Sequence, residues 1–274
     1  MTVTKDKFDL TTKVAVITGA GGVICSAMAK ELANRGVSVA LIDLSLEKAE
    51  EVAQTISSSG HSAIAVQANV LDKASLDKAM DCVLSHFPKV DILINGAGGN
   101  KASATTSADL TFFDLGIDPI RDVFDLNVVG TILTTQVFGR LFADQKSGVI
   151  INIASMASYL PLTNTMAYSS AKAAVMNFTQ WMAVHFNQNY SPNIRVNAIA
   201  PGFLLTEQNR YLMLKADNSL TARGNRVIDK TPMNRFGDPD EMTGAVVWLC
   251  SAASSFVNGA VIPIDGGFSS FWGI

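Results

Sequence analysis

Short runs of β-branched and aliphatic residues alternate with longer amphipathic segments along the whole chain. The apolar runs are nearly continuous, which is typical of parallel strands that are covered on both faces. Between them, segments such as Leu46–Ser59 and Ser75–Phe87 repeat apolar residues every three or four positions, which predicts helices. The predicted strands are Val14–Thr18, Val37–Asp43, Ser62–Asn69, Asp91–Asn95, Gly148–Ser155, Ile194–Ala200 and Ala260–Asp265.

The alternation of strands and helices predicts right-handed βαβ units. Because 274 residues fit one hydrophobic core, we expect a single α/β domain over 1–274. Its predicted architecture is a Rossmann-type doubly wound parallel sheet of about seven strands with helices on both faces. Two stretches, 98–118 and 203–237, are longer than ordinary connections. Both follow predicted strands, so we expect lid or substrate-binding segments at the carboxyl ends of the sheet.

Composition and charge indicate which kinds of molecule the protein binds. Hydrophobic residues make up 48% of the chain and charged residues 16%, and the formal net charge is −3. The charges are interleaved without a basic stripe, so we expect a small-molecule substrate and no nucleic acid or membrane partner. The polar start and the lack of an apolar run of about eighteen residues predict a cytoplasmic protein.

The cysteines and histidines show no pattern of a metal site. The three cysteines lack C-x-x-C spacing and are typical of reduced thiols in the cytoplasm. The three histidines lie on separate predicted elements without the spacing of ligands, so we expect no bound metal.

The first predicted strand runs directly into a glycine-rich turn, Thr18-Gly19-Ala20-Gly21-Gly22-Val23-Ile24-Cys25. Glycines let the backbone approach a pyrophosphate closely, and a following helix offers free N–H groups and a partial positive charge. This context predicts a dinucleotide-binding loop. Asp43 ends the second strand, where a carboxylate accepts hydrogen bonds from ribose hydroxyls and repels a 2′-phosphate, so we expect NAD as the cofactor. The alternative role for Asp43 is to cap the next helix.

Further motifs follow in an order that one enzyme family shows. They are Asn95-Gly96-Ala97-Gly98, Leu126-Asn127-Val128, Ser155, Tyr168 with Lys172, and Pro201-Gly202 with Thr206. Together with the glycine-rich turn, they resemble the motifs of the short-chain dehydrogenase/reductase family of the classical type, over nearly the whole chain. The resemblance implies an NAD-dependent oxidoreductase that interconverts a carbonyl and a secondary alcohol.

The resemblance also implies the site residues. Catalytic roles fall to Asn127, Ser155, Tyr168 and Lys172. Cofactor contacts are expected from Gly19, Gly21, Gly22, Val23, Ile24, Asp43, Leu44, Asn69, Val70, Asn95, Ala97, Gly98, Tyr168, Lys172, Pro201, Gly202 and Thr206.

Spacing gives a physical reason for the two central residues. Positions four apart share one face of a helix, so Lys172 lies one turn beyond Tyr168. A free tyrosine has a pKa of about 10, and a nearby ammonium lowers it, so we expect an acidified phenol that transfers the substrate proton. The hydroxyl of Ser155 can stabilise negative charge on the carbonyl oxygen. The resemblance implies that Lys172 binds the nicotinamide ribose and that Asn127 holds a water that relays protons to it.

The chain departs from the family pattern at three positions. Val23 and Cys25 replace the second and third glycines of the turn. Val23 is compatible with the turn if its φ stays negative, whereas Cys25 places a side chain where close packing of helix and strand favours none. Asn69 stands where the family often has an aspartate near adenine, and an amide can accept the same hydrogen bond.

The substrate is the least determined feature. Segments 95–102, 124–131, 178–186, 200–210 and 231–239 resemble a subgroup that interconverts fructuronate and mannonate. Such a sugar acid needs a cation and polar side chains, and we expect Lys101 or Arg210 to pair with its carboxylate. The predicted substrate residues are Asn100, Lys101, Asn164, Gln208, Asn209 and Arg210.

Other functions and the assembly state remain open from the residues. The alternatives are a reductase of another polyol, of a ketogluconate or of a less polar ketone, and a nucleotide-sensing relative without catalysis. The resemblance implies a homotetramer, in which the apolar tail 268–274 serves subunit contact.

Overall fold

One parallel sheet runs through the middle of the molecule. The computed structural model describes residues 6–206 and 210–273. Within these ranges the sheet has seven strands in the order β3-β2-β1-β4-β5-β6-β7. They are β1 (Val14–Thr18), β2 (Ser38–Asp43), β3 (Ala63–Gln67), β4 (Ile92–Asn95), β5 (Gly148–Ile153), β6 (Ile194–Pro201) and β7 (Val261–Ile264). The predicted fold class is confirmed, and every strand lies within two residues of its predicted bounds.

Helices cover both faces of the sheet, and their bounds follow the amphipathic segments. They are α1 (Val23–Asn34), α2 (Leu46–Ser58), α3 (Lys73–His86), α4 (Ile117–Phe124), α5 (Gly130–Gln145), α6 (Met166–Asn189), α7 (Arg210–Met213), α8 (Ala222–Lys230) and α9 (Thr243–Cys250). None of the helices described is long and apolar enough to cross a lipid bilayer.

The continuous apolar run of β1 reflects burial on both of its faces. Ala15 and Ile17 pack in a core formed with α1, α2 and α9, whereas Val14 and Val16 pack in a second core formed with α3, α5 and α6. All five residues of β1 are buried. The chain moves from β1 outward to β3 and then returns to β4 on the other side of β1. This reversal opens a crevice at the carboxyl ends of β1 and β4, where open α/β sheets bind ligands.

Both predicted lid segments leave the carboxyl edge of the sheet, and each is fastened to its surroundings. In the segment 203–237, the N–H of Gly237 donates to the carbonyl of Phe203 at 3.0 Å and the N–H of Leu205 donates to the carbonyl of Gly237 at 3.2 Å. The segment therefore closes on itself, and it carries α7 and α8. In the segment 98–118, the N–H of Thr106 donates to the carbonyl of Asn164 at 3.0 Å.

The departure at Cys25 is accommodated by the glycine at position 96. Cys25 lies in the first turn of α1 and is buried. A Cβ placed on Gly96 would lie 2.1 Å from the Sγ of Cys25 and 2.7 Å from the carbonyl oxygen of Thr18. A side chain at position 96 would fill the space that the thiol occupies, so the glycine leaves room for Cys25. The two residues therefore compensate each other sterically.

A double-mutant cycle at positions 25 and 96 tests this compensation. We expect Gly96→Ala to lower the free energy of unfolding by about 1–3 kcal/mol, because the new methyl group overpacks the site. In the Cys25→Ala background the same change is expected to cost at least about 1 kcal/mol less, because the Sγ atom is then absent. Urea unfolding of the wild type, both single variants and the double variant measures the coupling. Additive effects would contradict steric compensation.

Candidate active site

A cavity of about 540 Å³ lies in the crevice at the carboxyl ends of β1, β2 and β4. Most of the residues predicted to contact a dinucleotide line it. They are Gly19, Gly21, Gly22, Val23, Ile24, Asp43, Leu44, Asn69, Val70, Ala97, Gly98, Gly202 and Thr206. The tertiary structure thus brings five separate motifs of the sequence into one wall.

The glycine-rich turn has no room for side chains where it approaches its neighbours. Gly19 has a φ of +64°, and a Cβ there would lie 2.8 Å from the Cα of Ala97. Gly22 precedes α1, and no side chain caps the amino end of that helix. The N–H groups of the first turn of α1 therefore face the cavity at Val23 and Ile24, an arrangement that suits a phosphate. Val23 lies within α1 with a negative φ, as the loop requires.

Asp43 holds this turn and retains acceptor capacity for a ribose. One carboxylate oxygen accepts from the N–H of Gly21 at 2.9 Å, and the other accepts from the N–H of Ser45 at 3.0 Å. Each carboxylate oxygen can accept a further hydrogen bond. The alternative capping role belongs instead to Ser45, whose hydroxyl accepts from the N–H of Lys48 at the start of α2.

Lys48 is a candidate cofactor contact at the Asp43 end of the cavity. The motifs of the sequence do not identify it. Its exposed side chain lines the cavity together with Asp43. Positions 42 to 46 hold no lysine or arginine, so the residues next to Asp43 in the sequence do not indicate a cation here. The first turn of α2 carries the chain back over the glycine-rich turn, so that a Cβ on Gly21 would lie 2.5 Å from the Cβ of Lys48.

Asn69 and Asn95, two predicted contact residues, differ in their access to the cavity. Asn69 lines it, and its Oδ1 accepts from the N–H of Leu71 at 3.0 Å. Asn95 is buried at the end of β4, where its amide donates to Thr135 Oγ1 at 3.0 Å and to Asn152 Oδ1 at 2.8 Å. The side chain of Asn95 therefore ties β4 to α5 and β5 and does not line the cavity. Pro201, also buried at a strand end, is likewise outside the cavity wall.

The four predicted catalytic residues lie around the end of β5 and the start of α6. Ser155 follows β5 and is buried, whereas Tyr168 is partly exposed. The Nζ of Lys172 lies 5.7 Å from the centroid of the Tyr168 ring. A Cβ on Gly98 would lie 2.7 Å from Asn127 Oδ1 and 3.2 Å from Lys172 Nζ. Gly98, which also lines the cavity, therefore connects the dinucleotide wall to these groups.

Lys172 is held in place by the main chain of β5. Its Nζ donates to the carbonyl of Ile153 at 2.7 Å, and the residue is 5% exposed. Burial lowers the pKa of Lys172 to about 8, because the charged form loses hydration. At neutral pH the ammonium form still predominates. The contact with Ile153 was not predictable from the Tyr-x-x-x-Lys spacing, because it crosses from a helix to a strand.

The pKa of Tyr168 moves in the direction opposite to the expected one. Burial raises it above the usual value, and a hydrogen bond with the hydroxyl of Ser155 acts in the lowering direction. The ammonium of Lys172 is bonded to the Ile153 carbonyl and lies beside the ring, so the expected acidification by Lys172 is not what this structure shows. A phenol with a raised pKa is neutral at physiological pH and is suited to donate a proton to a carbonyl oxygen.

Asn127 lies in a π-helical turn, Asp125–Val129, that joins α4 to α5. Turns of this kind are rare and occur frequently at functional sites. The Asn127 amide donates to the carbonyls of Gly99 at 2.7 Å and Val123 at 2.8 Å, and its Oδ1 accepts from the N–H of Gly99 at 3.1 Å. An asparagine inside a helix is thereby accounted for: it clamps the start of the segment 98–118 beside Lys172.

A second cavity, of about 620 Å³, adjoins the first. Phe203 lines both cavities and forms part of the wall between them. Residues Leu162, Thr163 and Asn164 line it from the loop between Ser155 and Tyr168. The opposite wall comes from α8 and from Phe268. The loop that borders this cavity therefore lies, in the sequence, between the predicted catalytic residues Ser155 and Tyr168.

Of the predicted substrate residues that the structure describes, only Asn164 lines the second cavity. Asn164 adopts the left-handed conformation, with a φ of +69°. Lys101 instead forms an ion pair with Asp122 at 2.6 Å, and Arg210 donates to Asn218 at 2.7 Å. Asn100 donates to Thr105 at 2.9 Å. None of these three lines the cavity, and Gln208 and Asn209 lie outside the described residues.

Comparison with known proteins assigns the chain to a family. The sequence profile described as short chain dehydrogenase matches residues 13–216. The oxidoreductase UxuB of Bacillus subtilis, which is described as uncharacterized, is 45% identical over 97% of this chain and 98% of its own length. The 5-keto-D-gluconate 5-reductase of Escherichia coli K12 is 33% identical over 96% of this chain and 97% of its own length.

A solved structure has the same fold and matches this chain over nearly its whole length. It belongs to a protein from Haemophilus influenza that is provisionally named D-mannonate oxidoreductase and was crystallised with NAD. The two proteins are 45% identical, the TM-score is 0.91, and the match covers 97% of this chain and 98% of that one. With the motifs gathered at one edge of the sheet, these matches show that the chain is a member of the short-chain dehydrogenase/reductase family of oxidoreductases.

Proposed function

We propose that this oxidoreductase transfers a hydride between NAD(H) and a sugar acid, interconverting a ketone and a secondary alcohol of the fructuronate and mannonate type. The observation that carries the proposal is the position of Gly98, which lines the dinucleotide cavity and lies against Lys172, whose Nζ is 5.7 Å from the centroid of the Tyr168 ring. The relative named D-mannonate oxidoreductase and the 5-keto-D-gluconate 5-reductase support a sugar-acid substrate.

Each catalytic side chain has a role that follows from its surroundings. Tyr168 donates its proton to the carbonyl oxygen in reduction, because burial keeps the phenol neutral. Ser155 donates a hydrogen bond to the same oxygen and stabilises the charge that develops on it. Lys172, held by the carbonyl of Ile153, offers its remaining N–H groups toward Gly98 and a nicotinamide ribose. Asn127 fixes the backbone at Gly99, and we expect it to hold a water that relays protons to Lys172.

The residues of the first cavity fit a dinucleotide. The uncapped start of α1 suits the pyrophosphate, Asp43 suits the adenosine ribose, and Asn69 suits adenine. NAD, when bound, supplies or accepts the hydride. The carboxylate of Asp43 repels a 2′-phosphate, which favours NAD over NADP.

The assembly and the compartment belong to the same proposal. We expect a homotetramer in the cytoplasm. Exposed aromatic side chains support contact between subunits: Trp181 on α6 is 57% exposed, and Trp272 in the tail is 79% exposed.

A substrate screen with a matched inactive variant tests the proposed function. We expect the wild type to oxidise NADH with fructuronate or 5-ketogluconate at a higher kcat/KM than with simple ketones. We expect Tyr168→Phe to lower kcat by about 100-fold or more, because general acid catalysis is lost, while NADH still binds. The measurements are absorbance at the NADH band and NADH fluorescence. Binding of NADH without turnover of any carbonyl would instead favour a nucleotide-sensing protein.

The pH dependence reports the pKa of Tyr168. Reduction needs the protonated phenol, so its rate is expected to be flat around neutral pH. Oxidation needs the phenolate, whose fraction rises with pH below the raised pKa, so kcat/KM for alcohol oxidation is expected to climb into the alkaline range. In Ser155→Ala the hydrogen bond that lowers this pKa is lost, and the remaining activity is expected to climb at a higher pH. A profile shifted to lower pH in that variant would contradict the assignment.

The preference for NADH over NADPH tests the proposed roles of Asp43 and Lys48. Asp43→Ser removes the repulsion of a 2′-phosphate and leaves the exposed ammonium of Lys48 beside it. We expect the ratio of kcat/KM for NADPH to that for NADH to rise by about 10-fold or more, since hydrogen bonds to a charged group contribute about 1.5–3 kcal/mol. In the double variant Asp43→Ser, Lys48→Met, most of this gain is expected to disappear. An equal gain in both variants would show that Lys48 takes no part.

A further inference from the structure

The basic face of α8 is unexplained by the motifs of the family. Arg223, Arg226, Val227 and Lys230 lie at spacings of three and four residues, so they share one side of the helix. All four line the second cavity. Val227 is 6% exposed and anchors the helix against the protein, whereas both arginines are exposed. One carboxylate, that of Asp229, also lines this cavity, so its charged residues are mainly cationic.

The arginines of α8 differ from Lys101, Arg210 and Arg235 of the two lid segments, because no group among the described residues pairs with them. Lys101 is paired with Asp122, and Arg210 is bonded to Asn218. Arg235 forms two hydrogen bonds with the carboxylate of Glu241, at 2.6 and 2.7 Å. In 6–206 and 210–273, by contrast, no ion pair or hydrogen bond engages the guanidinium of Arg223 or Arg226.

The second cavity connects the arginines of α8 with the loop next to the predicted catalytic residues. The cavity shares Phe203 with the dinucleotide cavity. On its other side, the N–H of Leu162 donates to Ser169 Oγ at 3.2 Å, which fixes the lining loop to the residue next to Tyr168. A molecule whose carbonyl lies at Ser155 and Tyr168 can therefore extend along this loop toward α8. Asn164 offers it an exposed amide on the way.

We propose that Arg223 and Arg226 on α8 bind the carboxylate of the substrate. Guanidinium groups bind carboxylates through paired, charge-assisted hydrogen bonds, and two unpaired arginines on one helix face supply several such donors. The assignment replaces the earlier expectation of Lys101 or Arg210, and it rests on the proposed function. It makes α8 the element that selects acids over neutral polyols.

Dead-end complexes with NADH test the assignment without requiring turnover. D-mannonate and D-mannitol differ only in a carboxylate and a hydroxymethyl group, and each titrates NADH fluorescence of the enzyme–NADH complex. We expect the wild type to bind mannonate more tightly than mannitol. In Arg223→Gln, Arg226→Gln and the double variant, we expect this preference to fall, by about 10- to 100-fold in the double variant.

Matched variants separate charge from hydrogen-bond geometry and from folding. Arg226→Lys keeps the charge but not the paired donors, and it is expected to recover part of the preference. Arg35→Gln, which removes an exposed arginine paired with Glu31 on α1, is the control and is expected to leave the preference unchanged. Thermal unfolding of each variant verifies that it is folded.

The three contrary outcomes of these experiments have different meanings. If the double variant retains the wild-type preference for mannonate, the carboxylate site is not on α8, whatever the enzyme reduces. If the wild type binds mannonate through these arginines but turns over no sugar acid, the proposed reaction is wrong and the anion site stands. If the wild type shows no preference for mannonate over mannitol, the arginine assignment is overturned.

Discussion

The glycine-rich turn after β1 and the end of β4 approach each other so closely that only backbone fits between them. The hydroxyl of Thr18 accepts hydrogen bonds from the N–H groups of Gly96 and Ala97, at 3.1 and 3.3 Å. Gly19 meets the backbone of Ala97 at a distance that excludes a side chain. This contact fixes the cradle for a pyrophosphate, and it also places Gly98 between the cavity and the side chains of Asn127 and Lys172. Cofactor binding and catalysis therefore depend on one junction of two strands.

Burial sets the electrostatics of the reacting groups around that junction. Loss of hydration lowers the pKa of Lys172 and raises that of Tyr168, so burial disfavours the charged form of each. The same burial raises the pKa of the Cys25 thiol to about 12, which leaves this cysteine as a packing group rather than a nucleophile. The site thus combines a neutral phenol with an ammonium that is bonded to the Ile153 carbonyl. Such an arrangement is suited to the reduction of a carbonyl.

Some cations at the rim of the site are paired with protein groups, and others are not. Lys101 is paired with Asp122, Arg210 is bonded to Asn218, and Arg235 is paired with Glu241. These contacts make the three cations less available to the proposed substrate carboxylate. The arginines of α8 line the second cavity without a partner among the described residues, so the distribution of partners, rather than the number of positive charges, favours α8 as the proposed carboxylate site.

The sequence by itself determined the sheet, the glycine-rich turn and the catalytic pattern. Continuous apolar runs identify parallel strands because both faces of each strand are buried, and the motifs are local in the chain. Contacts between distant segments were decided by the tertiary structure alone. Gly96 leaves room for Cys25, and the carbonyl of Ile153 binds Lys172. Lys48 lies against the glycine-rich turn, and burial raises the pKa of Tyr168. None of them follows from spacing, because burial and steric fit depend on which segments the fold brings together.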